Sequence, residues 1–300
     1  MIRRRNVTDD RLEISETTVR QLLAGQFPAL AELPLTKVEP GGWDNHTFRL
    51  GDTLSVRLPS AMRYSPQIGR EALALSILQN QLPVAIPARL YDGHAGASYP
   101  FDWAINSWIP GRPANRIRID PEFASRCGQL LASLHAIETP RILVPSKDNF
   151  HRGGPLTCYA HEVELSLEKL PDRGLRQALS AHWDSALASS QSTRTCWVHG
   201  DFFPWNVLVD QEGQISGLID WGLVSTGDPA CDYAIGWTCF SPEQRRELCK
   251  SSRVDVATWQ RARGWSLWKA ATLATGINAG PPEDIAESSA ILCRIAADLD

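Results

Sequence analysis

The stretch VHGDFFPWNVLVD, Val198 to Asp210, followed by GLIDWG, Gly217 to Gly222, constrains this chain more than any other part of it. A short apolar run ends in His199, Gly200 and Asp201; Asn206 follows, and the chain returns to an apolar run. Apolar runs of this length bounded by polar turns predict two short strands, over 207–209 and 215–219. Asp201 and Asn206 then lie on the loop before the first strand, and Asp220 at the end of the second. Singly, each has an ordinary reading: Asp201 caps a turn, Asn206 forms an Asx turn, Asp220 ends a strand.

The order of elements around this stretch narrows the choice. Ser15 followed by Val19, Leu22 and Leu23 predicts a capped amphipathic helix. Short strands are predicted over 35–39, 47–50 and 54–58, joined by Gly-containing turns. Leu73, Ile77 and Leu78 have helical spacing, and strands follow over 88–91 and 103–109. PGRP then breaks the pattern, so a boundary is placed near Gly111, giving an N-terminal lobe over 1–110 and a C-terminal lobe over 111–300. Past it the chain reads as mostly helical. The first helix there is expected to be capped by Asp120 and opened by Pro121, and 140–157 to be a loop. At 300 residues, two lobes or two domains is the natural division.

Composition excludes several classes. The net charge of −4 gives no electrostatic footprint for nucleic acid or an anionic membrane. No apolar run approaches the length of about 18 residues that a membrane span needs. The N-terminus, MIRRRNVTDD, runs from arginines into polar residues, and so does not read as a secretory signal. Seven cysteines without a CxxC pair suggest neither a disulfide framework nor a zinc site, and a reducing, cytoplasmic setting is expected. Residues 201–300 hold 14 Asp or Glu against 8 Lys or Arg, an acidic balance that suits metal ions or cationic ligands, or equally a solvated acidic surface.

A small antiparallel sheet with one helix, an extended hinge and a helical lobe carrying a two-carboxylate loop is the order of a kinase, and the spacing of Asp201, Asn206 and Asp220 is that of a kinase catalytic loop and metal-binding Asp. VHGDFFPWNVLVD with GLIDWGLVSTGDPACDYA resembles the aminoglycoside phosphotransferase family, which also contains macrolide, choline and homoserine kinases. The resemblance covers roughly residues 35–240. It implies an α+β, two-lobed, protein-kinase-like fold: an N-terminal lobe of antiparallel sheet and helix, and a larger, mainly helical C-terminal lobe. The implied activity is transfer of the γ-phosphate of ATP or GTP to a small-molecule hydroxyl.

Carried over by residue, the resemblance makes Asp201 the catalytic carboxylate, and Asn206 and Asp220 the Mg²⁺ ligands. His199 is expected to anchor the loop. Arg57 in LSVRLP stands where the family carries a Lys or Arg for the nucleotide phosphates, and Glu71 in GREALAL is its helix partner; a guanidinium can bridge phosphate and carboxylate in a fork. Gly41 and Gly42 before Asn45 read either as a short phosphate-facing loop or as a plain hairpin turn. By position relative to Gly111, the carbonyl of Ser107 and the amide of Ile109 face the base, which leaves ATP against GTP open. Asp228 before Pro229 reads as an N-cap more readily than as a substrate ligand, and Asp232 is taken as structural with it. The acidic second half favours an aminoglycoside-like acceptor, and hence antibiotic resistance. A macrolide kinase, a metabolic kinase for choline, homoserine or a sugar, and a nucleotide-binding pseudokinase are the alternatives. Trp237, Trp259, Trp265 and Trp268 read as core or as the wall of an acceptor pocket. Oligomeric state is not legible.

Overall fold

The computed structural model describes residues 10–116, 120–140, 142–190 and 195–298. The N-terminal arginine run lies outside the described residues, as does Arg141 of the expected loop. The chain divides into two compact units: one runs to Ile77 and resumes over Pro87–Ile109, and the other comprises Leu78–Ile86 and Pro110–Asp300.

In the N-terminal unit, helix α1 (Glu16–Gln26) is capped by Ser15, whose side chain accepts from the Thr18 amide. Its buried residues Val19, Leu22 and Leu23 repeat at helical spacing, giving one apolar face. Strands β1 (Leu35–Lys37), β2 (Asn45–Leu50) and β3 (Leu54–Pro59) lead to helix α2 (Gln67–Leu78), and β4 (Arg89–Gly93) and β5 (Trp103–Ser107) follow. The sheet order is β1-β2-β3-β5-β4, with every pairing antiparallel. Arg57 is thus on the central strand, opposite Thr47 on one side and Ala104 on the other. Val19, Leu22 and Leu23 of α1 join Phe48, Val56, Trp103 and Ile105 of the sheet in one apolar core.

The C-terminal unit is built around helices. A short strand β6 (Arg112–Pro113) precedes α3 (Phe123–Ala136), then α4 (Ala160–Lys169) and α5 (Arg173–Ala188). Strands β7 (Cys196–Val198), β8 (Val207–Val209), β9 (Ile215–Leu218) and β10 (Ser225–Gly227) carry the loops of interest, and α6 (Ile235–Cys239), α7 (Pro242–Ser252), α8 (Val256–Ala274) and α9 (Pro282–Ala296) follow. Strand β7 pairs with β10, and β6-β8-β9 form a second small sheet. Helix α8 is buried on nearly every side, and α4, α5 and α9 pack on it; a helix without a polar face belongs inside a bundle. Ala85 adds to the edge of β9: its amide donates to the Ser216 carbonyl at 3.1 Å and its carbonyl accepts from the Leu218 amide at 2.9 Å.

One helix start differs from expectation. Helix α3 opens at Phe123 with Glu122 as N-cap. Asp120 accepts from the Glu122 amide at 2.8 Å and pairs with Arg126 at 2.5 Å, so it closes a turn ahead of the helix, and Pro121 sits in that turn. Among the described residues, no helix is long and apolar enough to cross a membrane.

Candidate active site

Strand β7 delivers the chain into a fully buried His199. The ring has one consistent tautomer: Nε2–H donates to the Ile219 carbonyl at 3.0 Å, and Nδ1 accepts from the Asp201 amide at 3.3 Å. His199 therefore ties the loop to the far end of the β8–β9 hairpin. The edge of the Trp221 ring, with centroids 4.7 Å apart, closes over it.

Gly200 has φ +84°, and a Cβ there would lie 2.3 Å from the Leu223 carbonyl oxygen. Only glycine fits this approach. The amides of His199 and Gly200 both point at one side chain, Asp232, whose two carboxylate oxygens accept at 2.9 and 2.8 Å. Asp232 is fully buried and also lies 3.2 Å from His135 Nε2. Sequence reasoning took it as structural and gave it no partner in the loop; its signal was only a polar residue inside an otherwise apolar segment. Asp228 behaves as the capping residue expected, accepting from the Ala230 amide, and is further held by Arg261.

Asp201 and Asn206 are in direct contact. Asn206 Nδ2 donates to the Asp201 backbone carbonyl and to Asp201 Oδ2, each at 2.9 Å, and Trp205 Nε1 approaches Oδ2 at 3.3 Å. Both amide protons of Asn206 are thereby committed to Asp201, and the side-chain oxygen is the atom left to face a ligand. The hairpin register brings in the third residue. Val207 is opposite Leu218, and the Ile219 amide donates to the Asn206 carbonyl at 3.0 Å, so Asp220 is next in chain to the residue across from Asn206. Asp220 has φ 64° and ψ 69°, a left-handed conformation that Asp tolerates better than most residues and that turns the chain sharply out of β9.

Among the described residues, no group of three or more His, Cys, Asp or Glu side chains is placed to enclose a metal. A carboxylate and an amide oxygen at one hairpin are instead the donor set of an open Mg²⁺ site, which takes one or two protein oxygens and completes its shell with phosphates and water. The residues present fit that ion.

In the N-terminal unit, Arg57 Nε lies 3.6 Å from Glu71 Oε2, with both side chains largely buried. Neither is the solvated surface residue that a bland reading would make it. The same carboxylate oxygen receives Arg89 Nη2 at 3.3 Å and Asn106 Nδ2 at 3.2 Å. Arg89, which the sequence did not single out, is fixed in turn by the Asn106 side-chain oxygen at 2.7 Å and by Asp92 at 2.8 Å. Asn45 is buried at the start of β2, opposite Pro59, and its Oδ1 has no hydrogen-bond partner among the described residues. Ser107 ends β5, its Oγ accepting from the Ala88 amide at 2.8 Å, and Ile109 lies two residues on.

Of the four tryptophans, Trp237 is fully buried and Trp259 is half-buried against it. Trp265 and Trp268 are buried, and Tyr159 stacks on Trp268 with centroids 3.9 Å apart. Phe203 and Trp205, between Asp201 and Asn206, stack at 4.8 Å, with Lys269 Nζ 4.2 and 4.6 Å from their centres. The cavity beside them is only about 30 Å³, far below the size of a pocket for a drug-sized molecule.

The family model of the phosphotransferase enzyme family (APH) matches residues 36–265, and the chain belongs to that family. A homoserine kinase of Gluconobacter oxydans (strain 621H) is 32% identical over 148 residues, 48% of this chain and 45% of that one. The chain aligns with less than half the length of the curated relatives it matches. Among solved structures, the GDP complex of wild-type aminoglycoside 2'-phosphotransferase-IIIa superposes with a TM-score of 0.72 at 16% identity, covering 95% of this chain and 99% of that one. Macrolide 2'-phosphotransferase type I superposes with a TM-score of 0.65 at 23% identity, covering 94% and 98%. The fold is therefore the two-lobed, kinase-like α+β fold of these enzymes.

Proposed function

We propose that this protein transfers the γ-phosphate of ATP or GTP to a hydroxyl group of a small molecule. The observation that carries the reading is the Asn206 amide, which holds Asp201 at its carbonyl and its carboxylate while turning its own oxygen toward a ligand. Asp201 accepts the acceptor hydroxyl in a hydrogen bond and orients it. The acceptor oxygen forms a new bond to the γ-phosphorus, the bond to the β–γ bridging oxygen breaks, the hydroxyl proton passes to the Asp201 carboxylate, and the nucleoside diphosphate leaves. Asn206 Oδ1 and the Asp220 carboxylate would hold Mg²⁺, which when bound neutralises charge on the phosphate oxygens. Most of the catalysis then comes from positioning and charge stabilisation.

The N-terminal unit supplies the nucleotide contacts on this reading. Glu71 orients Arg57 toward the phosphates, with Arg89 and Asn106 keeping the carboxylate in place. Backbone amides of the turn from Gly41 and Gly42 to Asn45 face the phosphates, and the Ser107 carbonyl and Ile109 amide face the base. The described residues have no membrane-crossing helix, which suits a kinase working in the cytoplasm.

An aminoglycoside-like acceptor, as favoured by the acidic second half, needs carboxylates to grip a polycation. Several carboxylates of the C-terminal unit are engaged within the protein: Asp232 by loop amides, Asp228 by Arg261, Glu162 by Trp268 and Asn278, and Asp284 by Lys269. That engagement favours the second acceptor reading, a hydroxyl metabolite such as homoserine. Phosphate incorporation from labelled ATP or GTP with Mg²⁺, measured against aminoglycosides, macrolides, choline, homoserine and sugars, tests both. Transfer to any of them establishes the reaction and names the acceptor, whereas nucleotide binding without transfer to any would defeat it.

A further inference from the structure

We infer that the acceptor carries a carboxylate and that Arg152 binds it; the inference rests on the phosphoryl-transfer reading above and names its substrate class. Arg152 is nine-tenths buried, yet among the described residues its guanidinium has no carboxylate and no hydrogen-bond acceptor, and its Nε is buried without a partner. Its guanidinium carbon lies 4.9 Å from the centre of the Trp268 ring and 5.2 Å from that of Trp265. Cation–π stacking offsets only part of what a buried charge loses by leaving water.

The neighbours do not make up the difference. Burial pushes the Tyr159 phenol up to about 12 against the pull of Arg152, and pushes the Cys231 thiol well up, so both are neutral near pH 7. Glu162 spends its Oε2 on Trp268 Nε1 at 2.7 Å and Asn278 Nδ2 at 3.1 Å. The missing negative charge therefore comes from a bound molecule.

The position of the arginine says which molecule. Its backbone is pinned: the amide donates to the Asn149 carbonyl at 3.1 Å, and its carbonyl accepts from Asn149 Nδ2 at 3.0 Å and Ser225 Oγ at 2.7 Å. A Cβ on Gly200 would lie 3.1 Å from Arg152 Cβ, so the side chain starts in contact with the catalytic loop one residue before Asp201. The groups assigned to metal and phosphate, Asn206 and Asp220, are at the hairpin. Arg152 adjoins Gly200, the chain neighbour of the residue assigned to the acceptor hydroxyl. A hydroxy acid carries the two functional groups that Asp201 and Arg152 would bind, and a guanidinium fork is the natural receptor for a carboxylate.

The test uses the full-length chain with Mg²⁺ and ATP or GTP, and as acceptors L-homoserine, L-serine and D-glycerate beside 3-aminopropan-1-ol, which is homoserine without its carboxylate, and kanamycin. Wild type is expected to phosphorylate a hydroxy acid and not 3-aminopropan-1-ol. Arg152→Met is expected to raise the KM for the hydroxy acid by about 10- to 100-fold, leaving the nucleotide KM within twofold and the melting temperature close to that of wild type, since the variant gives up the contacts with Trp265 and Trp268 but also a buried charge that has no ion pair. Arg152→Lys should recover part of the acceptor affinity, and it keeps the test open if the Met variant does not fold. Turnover of kanamycin or 3-aminopropan-1-ol that is indifferent to Arg152→Met would overturn the carboxylate while leaving phosphoryl transfer standing. A rise in the nucleotide KM alone would overturn it in favour of a phosphate contact. Nucleotide binding with no acceptor phosphorylated by wild type would remove the reading on which the inference rests.

Discussion

The side-chain nitrogen of Asn206 is 2.9 Å from the Asp201 backbone carbonyl and 2.9 Å from the Asp201 carboxylate. One amide thus sets both the backbone and the side-chain direction of the acid four peptide links upstream of its neighbour Trp205. Asp201→Ala is expected to lower kcat by roughly 10²- to 10⁴-fold, with little change in nucleotide affinity. Asn206→Ala is expected to lower kcat as well and to raise the Mg²⁺ concentration for half-maximal rate by at least about tenfold. Steady-state kinetics across a Mg²⁺ titration separates the two effects, and equal Mg²⁺ dependence in both variants would break the division of roles.

Gly200 is the most demanding backbone position in the loop. A left-handed alanine costs about 1–3 kcal/mol by itself, and here its methyl group would also meet the Leu223 carbonyl at 2.3 Å. Gly200→Ala should therefore lose several degrees of thermal stability and most of its activity together. A variant that melts like wild type would mean that the loop has room the structure does not show.

Asp232 supports the loop through amides alone. Asp232→Ala leaves the N–H groups of His199 and Gly200 buried and unpaired, each costing about 1–3 kcal/mol. Asp232→Asn keeps one acceptor oxygen and should recover part of that stability. Urea unfolding of the pair measures the difference, and kcat should follow stability in both.

Glu71 neutralises two buried guanidinium groups. Removing it as Glu71→Ala should destabilise the N-terminal unit by about 3–5 kcal/mol, because Arg57 and Arg89 both face the vacated oxygen. Glu71→Gln, which keeps the shape and one oxygen, should fold better yet still raise the nucleotide KM. Isothermal titration with ADP and GDP reads the affinity directly, and an unchanged affinity in Glu71→Gln would dissociate this ion pair from the nucleotide.

Tyr159 links stability to alkaline pH. Its phenol rises from 10.0 to about 12 in the folded state because of burial. Below pH 10 the group is protonated in both states and its contribution is fully present. Above pH 10 the unfolded chain releases the proton while the folded chain keeps it, so stability falls by roughly 1.4 kcal/mol per pH unit until about pH 12. Tyr159→Phe should flatten this part of the profile between urea melts at pH 9 and 11.

How far the sequence reveals the structure depends on separation along the chain. Asp201, Asn206 and Asp220 sit on one loop and one hairpin, so local pattern alone brings them near each other. The short strands of the N-terminal sheet and the Ser15 cap were legible for the same reason. Asp232 meets the His199 and Gly200 amides from a later turn, and Arg152 meets Gly200 from an earlier loop; no periodicity encodes either contact. Arg89 looks like an edge-strand cation until the fold encloses it with Glu71. The tryptophans left two readings open because helical spacing gives the same pattern whether a ring faces a ligand or, as for Trp268, packs against Tyr159 and Arg152. Asp120 followed by Pro121 imitates a cap and first helical residue, and only the hydrogen bonds show that the turn closes before the helix begins.

The pairing of Ala85 with the edge of β9 has a practical consequence. Because the segment around it belongs with the C-terminal unit while the residues on either side do not, the polypeptide passes between the two units three times. Excising the sheet as a single contiguous fragment would carry a strand partner away from the β8–β9 hairpin, and expressing the remainder alone would leave that edge bare. Domain exchange with a relative would therefore need three junctions, at about residues 78, 87 and 110, for both halves to keep their own hydrogen bonds.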